Sequence, residues 1–185
     1  MARIEYKNDV TRALEEAEGS DGRMNVDARS GGITYHNSKH LGQTYAMTFE
    51  HLTAANGEYS FYMKNDSTDM TLVVSDIGVN SEVVSRLKLW SVTGTATGAG
   101  DIIPRNMNLV SSLTATGSFK QDTGGAIGGI TTSGIPIDDV QCSAGGHEEL
   151  RLSDRLRLGQ GDAIALEVDT TAGGNVFGVV FFYYE

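Results

Sequence analysis

Residues 161–185 read GDAIALEVDTTAGGNVFGVVFFYYE and contain two different strand patterns. Over residues 163–169 apolar side chains alternate with smaller or polar ones, so Ile164, Leu166 and Val168 are expected on one buried face. Residues 172–175, AGGN, supply a turn. Residues 176–184 do not alternate, and a strand that is apolar or aromatic on both faces is typical of burial on both sides.

In a small antiparallel domain, the second face of such a strand is expected to be covered by another subunit. The pattern therefore predicts a candidate oligomer interface in the last strand, beside its contribution to the core. The residues of this predicted interface are Phe177, Val179, Phe181, Phe182, Tyr183 and Tyr184.

Shorter strands precede this pair, at near-regular spacing and separated by turn residues such as Asn56-Gly57. The clearest strands are predicted over residues 43–52, 58–65, 69–79 and 86–94, and weaker ones over residues 114–119, 126–134, 138–144 and 147–154. The residues expected to face inward are Tyr45, Met47 and Phe49 in the first strand, Tyr59, Phe61 and Met63 in the second, and Leu87 and Leu89 in the fourth.

About eight to ten short strands without alternating helices indicate an all-β fold, an antiparallel β-sandwich. The strand number favours a jelly-roll-like arrangement over a seven-stranded immunoglobulin domain, which usually carries a cysteine pair. The sandwich is assigned to residues 43–185. Residues 1–42 are assigned to an extended N-terminal arm with a possible short helix over residues 9–17, capped by Asp9.

Composition narrows the classes of partner. The chain has 185 residues, with 14 Lys and Arg against 24 Asp and Glu, a net charge of −10. A surface of that sign repels phosphate backbones, so no nucleic-acid partner is expected. No apolar stretch approaches membrane-spanning length and no membrane partner is expected. The single Cys142 cannot form an intrachain disulfide, which fits folding in a reducing cytoplasm.

Histidines offer the first candidates for chemistry. His147 precedes Glu148 and Glu149, but the motif HEELR lacks the second histidine of a zinc-binding HExxH, and neighbours on a strand point to opposite faces. Three other histidines, at positions 36, 40 and 51, could approach one another in a folded sheet, but no metal-ligand spacing links them to a carboxylate.

The remaining candidate residues are better explained by structural roles than by catalysis or ligand binding. The loop carboxylates of Asp66, Asp69, Asp138 and Asp139 do not match an EF-hand and suit ordinary turns. The glycine-rich segments 93–101 and 123–134 lack a phosphate-binding context and suit flexible loops or tight turns, and Cys142 has no activating partner. No catalytic, cofactor-binding or metal-binding residue is therefore predicted, and the chain is not expected to be an enzyme.

Five motifs carry a resemblance to a known group of proteins. They are FYMKN at residues 61–65, LKLWSVTGTATG at residues 87–98, the PRNMN connection at residues 104–108, GDAIALEV at residues 161–168, and the aromatic last strand. Over residues 57–185 the chain resembles small virion-associated β-sandwich proteins of tailed bacteriophages. Proteins of that group have no catalytic residues, so the resemblance implies none in this chain.

The resemblance implies a capsid decoration, or cement, protein. Such a protein would bind the major capsid protein on the outer surface of the head as a homo-oligomer, a trimer or dimer, and stabilise the shell. Its location would be the virion, after synthesis in the host cytoplasm. We expect the N-terminal arm to reach the capsid or a neighbouring subunit. The alternatives are a tail, baseplate or fibre component, and a glycan-binding β-sandwich module.

Overall fold

The computed structural model describes residues 5–7, 14–16, 43–124 and 126–185. The chain divides into two units, Met1–Gly32 and Ile33–Glu185. The described residues form no helix, and hence none that is long and apolar enough to cross a membrane. The sandwich boundary predicted at residues 42–43 remains a prediction.

In the first unit, β1 (Glu5–Lys7) pairs antiparallel with β2 (Leu14–Glu16). The helix predicted over residues 9–17 is therefore wrong at residues 14–16, and its other positions lie outside the described residues. So short a segment gains too little from helical hydrogen bonds to hold a helix by itself. Pairing with β1 satisfies the backbone of β2 instead.

Two antiparallel sheets make up the second unit. One has the strand order β12-β5-β14-β3-β8, and the other has the order β10-β6-β13-β4-β9-β7, with β11 also paired to β6. The strands are β3 (Thr44–Ala54), β4 (Glu58–Asn65), β5 (Leu72–Ser81), β6 (Ser85–Thr97), β7 (Gly100–Asp101), β8 (Arg105–Asn106), β9 (Gly117–Gln121), β10 (Gly128–Thr132), β11 (Asp138–Cys142), β12 (Gly146–Leu158), β13 (Ala163–Thr170) and β14 (Gly174–Tyr184).

The order of the long strands is that of a jelly roll. The five-stranded sheet contains β3-β14-β5-β12, and the seven-stranded sheet contains β4-β13-β6 followed by β10 and β11, which share the edge of β6. The chain crosses to the other sheet at every step from β3 to β6 and again from β11 to β14, and its first and last long strands, β3 and β14, are neighbours. The predicted jelly-roll-like sandwich is thus the observed fold.

The core lies between the sheets and takes side chains from both. Tyr45, Met47 and Phe49 of β3 face Phe61 and Met63 of β4 across it. The inward positions predicted on β6 and β13 are also confirmed: Leu87, Leu89, Ile164, Leu166 and Val168 are all fully buried in the same cluster.

Tyr59 departs from the predicted pattern. It is expected beside Phe61 and Met63, but β13 pairs Leu166 with Phe61 and then Glu167 with Tyr59, so Ser60 is an extra residue in β4. This bulge reverses the facing of the strand beyond Phe61. Tyr59 therefore packs outside the core, against a second apolar cluster on the outer face of the seven-stranded sheet.

Glycines make that second cluster possible. Segment 93–101 is expected as a loop or turn, but β6 continues to Thr97 and pairs there with β10, which confirms the weaker strand predicted over residues 126–134. Gly94 has a φ of 97°, and a Cβ at this position would lie 2.4 Å from the carbonyl oxygen of Gly129. Only glycine allows so close a backbone approach. The pairing helps to bring Ile130 over Trp90 and Tyr62.

Candidate functional site

The predicted interface strand, β14, lies at the centre of the five-stranded sheet, between β5 and β3. Phe182 and Tyr184 face the core and are fully buried, and Tyr183 is buried on the opposite side. Val179 and Phe181 are partly exposed, and Phe177 is 43% exposed. The interface remains a prediction, and only Phe177, Val179 and Phe181 keep surface that a second subunit could cover.

Phe177 borders a groove of about 770 Å³. The groove crosses the outer face of the five-stranded sheet and reaches the segment after β7. Its lining combines this aromatic ring and Ile103 with polar side chains that can donate or accept hydrogen bonds, namely Glu50, Asn80, Asp101, Gln121 and His147.

Hydrogen bonds fix two sides of the groove. His147 Nδ1 lies 3.2 Å from Asn80 Oδ1, so the imidazole N–H donates to that amide oxygen. The ring rests against Gly78, where an added Cβ would be 3.2 Å from the imidazole Cε1. On the other side, the backbone N–H of Glu50 donates to Gln121 Oε1 at 3.0 Å and so links the two sheets.

A second polar group lies inside the sandwich, where the inward face of β3 ends. His51 is 1% exposed, and its Nε2 lies 3.2 Å from Glu58 Oε2 and 3.5 Å from Asp122 Oδ2. Its Nδ1 lies 3.1 Å from the hydroxyl of Ser60, which is fully buried. Buried carboxylates and imidazoles are costly unless they are paired, so this set is held together by its own hydrogen bonds.

Ser60, His51 and Asp122 are the residue types of a hydrolase triad, but their arrangement does not suit nucleophilic attack. The serine contacts the imidazole nitrogen opposite the carboxylates, as a triad serine would, but its hydroxyl is fully buried and no substrate can reach it. The three ligand atoms of His51, Glu58 and Asp122 lie within 4.8 Å of one another, so the set could instead hold a metal ion.

Among the described residues, the other histidine and the carboxylates considered in the sequence analysis do not belong to the His51 cluster. His36 and His40 lie outside the described residues. Asp66 binds Lys64 Nζ at 2.8 Å and accepts from the Ser118 hydroxyl at 2.7 Å. Burial raises the pKa of the Asp66 carboxyl, but these two hydrogen bonds outweigh it and leave the pKa below its ordinary value.

Asp139 also has a structural partner. Arg86 Nε and Nη2 donate to its two carboxylate oxygens at 2.6 and 2.5 Å, and this pairing lowers the pKa of Asp139. Cys142 lies in the core, and burial raises the pKa of its thiol, which disfavours the reactive thiolate. These groups are accounted for by packing and ion pairing.

Among the described residues, the most exposed large apolar side chains lie within residues 102–113, here called the apolar loop. Leu109 and Val110 are 91% and 94% exposed, and Ile103 is 84% exposed. The loop is held by its own polar groups: Asn106 Oδ1 accepts from the N–H of Asn108 at 2.9 Å, and Asn106 Nδ2 donates to the carbonyl of Leu113 at 3.0 Å. The apolar side chains are therefore presented on a shaped loop.

Sequence reasoning did not identify Glu58 and Asp122 as partners of His51. One signal was available, because His51 continues the inward series of Tyr45, Met47 and Phe49 at the same spacing of two. A histidine at a core position requires buried polar partners. Which carboxylates provide them depends on the β3–β4 hairpin and on the end of β9, which only the fold brings together.

Comparison with known proteins adds no family to these observations. A scan against protein-family models, a search of curated proteins and a search of solved structures each found no match to the chain.

Proposed function

We propose that the chain is a structural protein of a tailed-phage virion, a capsid decoration protein. In this role it binds the major capsid protein on the outer head surface as a dimer or trimer and stabilises the shell. The resemblance of five sequence motifs to those of virion-associated β-sandwich proteins suggests the role, and the jelly-roll sandwich is compatible with it. Binding at many equivalent sites allows modest contacts at each one to add up.

The apolar loop carries the proposal. Exposed apolar side chains that cluster in one segment are typical of surfaces that bind another protein. Leu109 and Val110 contribute almost nothing to the sandwich, because more than nine-tenths of each is in solvent. A loop that is already shaped by Asn106 and Asn108 loses little conformational entropy on binding.

The proposal is tested by co-sedimentation of the purified chain with heads assembled from the capsid protein of the same genome. We expect Leu109→Asp combined with Val110→Asp to remove the chain from the heads, with an unchanged melting temperature. Val84→Asp, at another exposed apolar position, is the matched control and should bind like the wild type. Full occupancy by the double variant would refute a role of the loop in capsid binding.

Self-association is tested separately by light scattering after size exclusion. The wild type should have two or three times the chain mass, and Phe177→Asp or Phe181→Asp should shift it toward the monomer. Phe182 is unsuitable for this test, because a charge at that fully buried position would unfold the chain. A monomeric wild type would mean that no preformed oligomer exists and that any assembly takes place on the particle.

A tail, baseplate or fibre location is compatible with the same surfaces, and particle fractionation distinguishes it from the head.

The groove beside Phe177 favours a second function, glycan binding, because aromatic rings stack on sugars while amides and carboxylates bind hydroxyls. A glycan-array hit that is lost in Phe177→Ala and kept in Leu52→Ala would support it. No saccharide binding at millimolar concentration would eliminate it.

A further inference from the structure

The cluster of His51, Glu58 and Asp122 has the geometry of a metal site. Its Nε2-to-oxygen distances are 3.2 and 3.5 Å. A tetrahedral zinc ion with bonds of about 2.0–2.1 Å holds its ligand atoms about 3.3 Å apart. These two distances match two edges of a coordination tetrahedron, and all three ligand atoms lie within 4.8 Å of one another, so one ion can contact all three after a small rearrangement.

Neighbouring groups orient the three ligands. Ser60 Oγ can accept the N–H of His51 Nδ1, which directs the lone pair of Nε2 toward the two carboxylates. The N–H of Ala55 donates to Glu58 Oε2 at 2.8 Å, and the N–H of Gly124 donates to Asp122 Oδ1 at 2.7 Å. The second bond leaves Asp122 Oδ2 directed at the imidazole. Such outer contacts are what fix metal ligands in proteins.

Charge favours a cation at this point. The cluster has two carboxylates and one imidazole, so it is negative in either protonation state of the histidine. Within the part of the chain that the structure describes, His51 is the only basic group in ion-pair contact with Glu58 or Asp122. The side chain of Glu58 is 35% exposed, which leaves an access route for an ion and room for a water ligand.

We propose that His51 Nε2, Glu58 Oε2 and Asp122 Oδ2 bind one divalent transition-metal ion of the zinc type, with water in the remaining position. An imidazole ligand favours such ions over Ca²⁺ or Mg²⁺, which prefer oxygen. A neutral His51 keeps its single proton on Nδ1, donated to Ser60, and binds the ion through the Nε2 lone pair, whereas a doubly protonated His51 releases its Nε2 proton to solvent. Because β3 belongs to one sheet and β4 and β9 to the other, the metal cross-links the two sheets.

The test uses the full chain after dialysis against EDTA and titration with Zn²⁺, followed by calorimetry and native mass spectrometry. We expect one tightly bound Zn²⁺ per chain and a higher melting temperature with the metal. Glu58→Gln keeps an acceptor for Ala55 and should weaken binding at least about tenfold. Circular dichroism verifies that each variant is folded.

Two controls locate the site. Glu50→Gln removes a nearby exposed carboxylate, and His147→Ala removes a histidine from the groove, and both should bind Zn²⁺ like the wild type. X-ray absorption should show one imidazole with oxygen ligands at about 2.0–2.1 Å. No saturable binding of one ion, or equal binding by Glu58→Gln, would overturn the proposal. Head binding is independent of this result.

Discussion

The two ends of the sandwich interior differ in chemistry, although β3 contributes a side chain to both. Near the start of β3, Tyr45 stacks on Phe182 with ring centroids 5.4 Å apart, and Phe119 stacks on the other side of Phe182 at the same distance. Six residues along β3, His51 faces Glu58 and Asp122 instead. The aromatic end and the polar end are about 20 Å apart along the strand.

The difference separates what holds the fold from what is available for a function. Aromatic packing stabilises the sandwich without any further partner, because burial and ring stacking are both favourable. A buried imidazole with two carboxylates contributes little net stability, since desolvation opposes the ion pairs. Stability alone therefore does not explain the polar end, and metal binding would give its three side chains a function.

The largest effect is expected at the aromatic end. Phe182→Ala should lower the free energy of unfolding by about 3–5 kcal/mol, because the ring is fully buried and contacts three other rings. Urea denaturation measures the change. Phe177→Ala, in the same strand but 43% exposed, is the control and should cost under about 1 kcal/mol. Equal losses would show that the outer face is as important for stability as the core.

A smaller loss is expected at the polar end. In EDTA, His51→Leu should lower the free energy of unfolding by about 3 kcal/mol, because it leaves two carboxylates facing each other without their basic partner. His147→Leu, at the exposed histidine of the groove, should change stability by no more than about 0.5 kcal/mol. If His51→Leu were instead as stable as the wild type, the two carboxylates would not depend on the imidazole.

The smallest effect at neutral pH is expected for Tyr184→Phe. The variant loses the 2.7 Å hydrogen bond to the carbonyl of Thr116, worth about 1 kcal/mol. Burial raises the pKa of the Tyr184 hydroxyl well above the value of about 10 in the unfolded chain. The unfolded state therefore loses its proton first, and wild-type stability falls as the pH rises above about 10.

Tyr184→Phe should consequently lose less stability than the wild type between pH 7 and about pH 10.5. Urea denaturation at both pH values gives the comparison, and the deprotonation of lysines affects both proteins equally. A parallel loss in the two proteins would contradict a raised pKa at Tyr184. In His51→Leu, the loss of stability between the two pH values should equal that of the wild type, since the polar end contains no tyrosine.

Periodicity predicted the strands well wherever each pattern was local. The alternation of Ile164, Leu166 and Val168 identified the face of β13 that is buried. The burial on both sides expected for β14 is seen at Tyr183, but Phe177, Val179 and Phe181 keep exposed surface on the outer face. The prediction was wrong at Tyr59, because the bulge at Ser60 leaves no mark in the period of two. It was also wrong for residues 14–16, where pairing with another strand outweighed a helical spacing.

The sequence by itself determined the class of fold, because burying alternate side chains requires only neighbours along one strand. The same spacing of two extends to His51, a signal that the sequence analysis did not use. Only the tertiary structure decided which groups surround that histidine, since Glu58 begins a strand of the opposite sheet, Asp122 directly follows another, and they lie 7 and 71 residues away. The same holds for the groove beside Phe177, because long-range pairing sets its walls and no local pattern encodes such pairing.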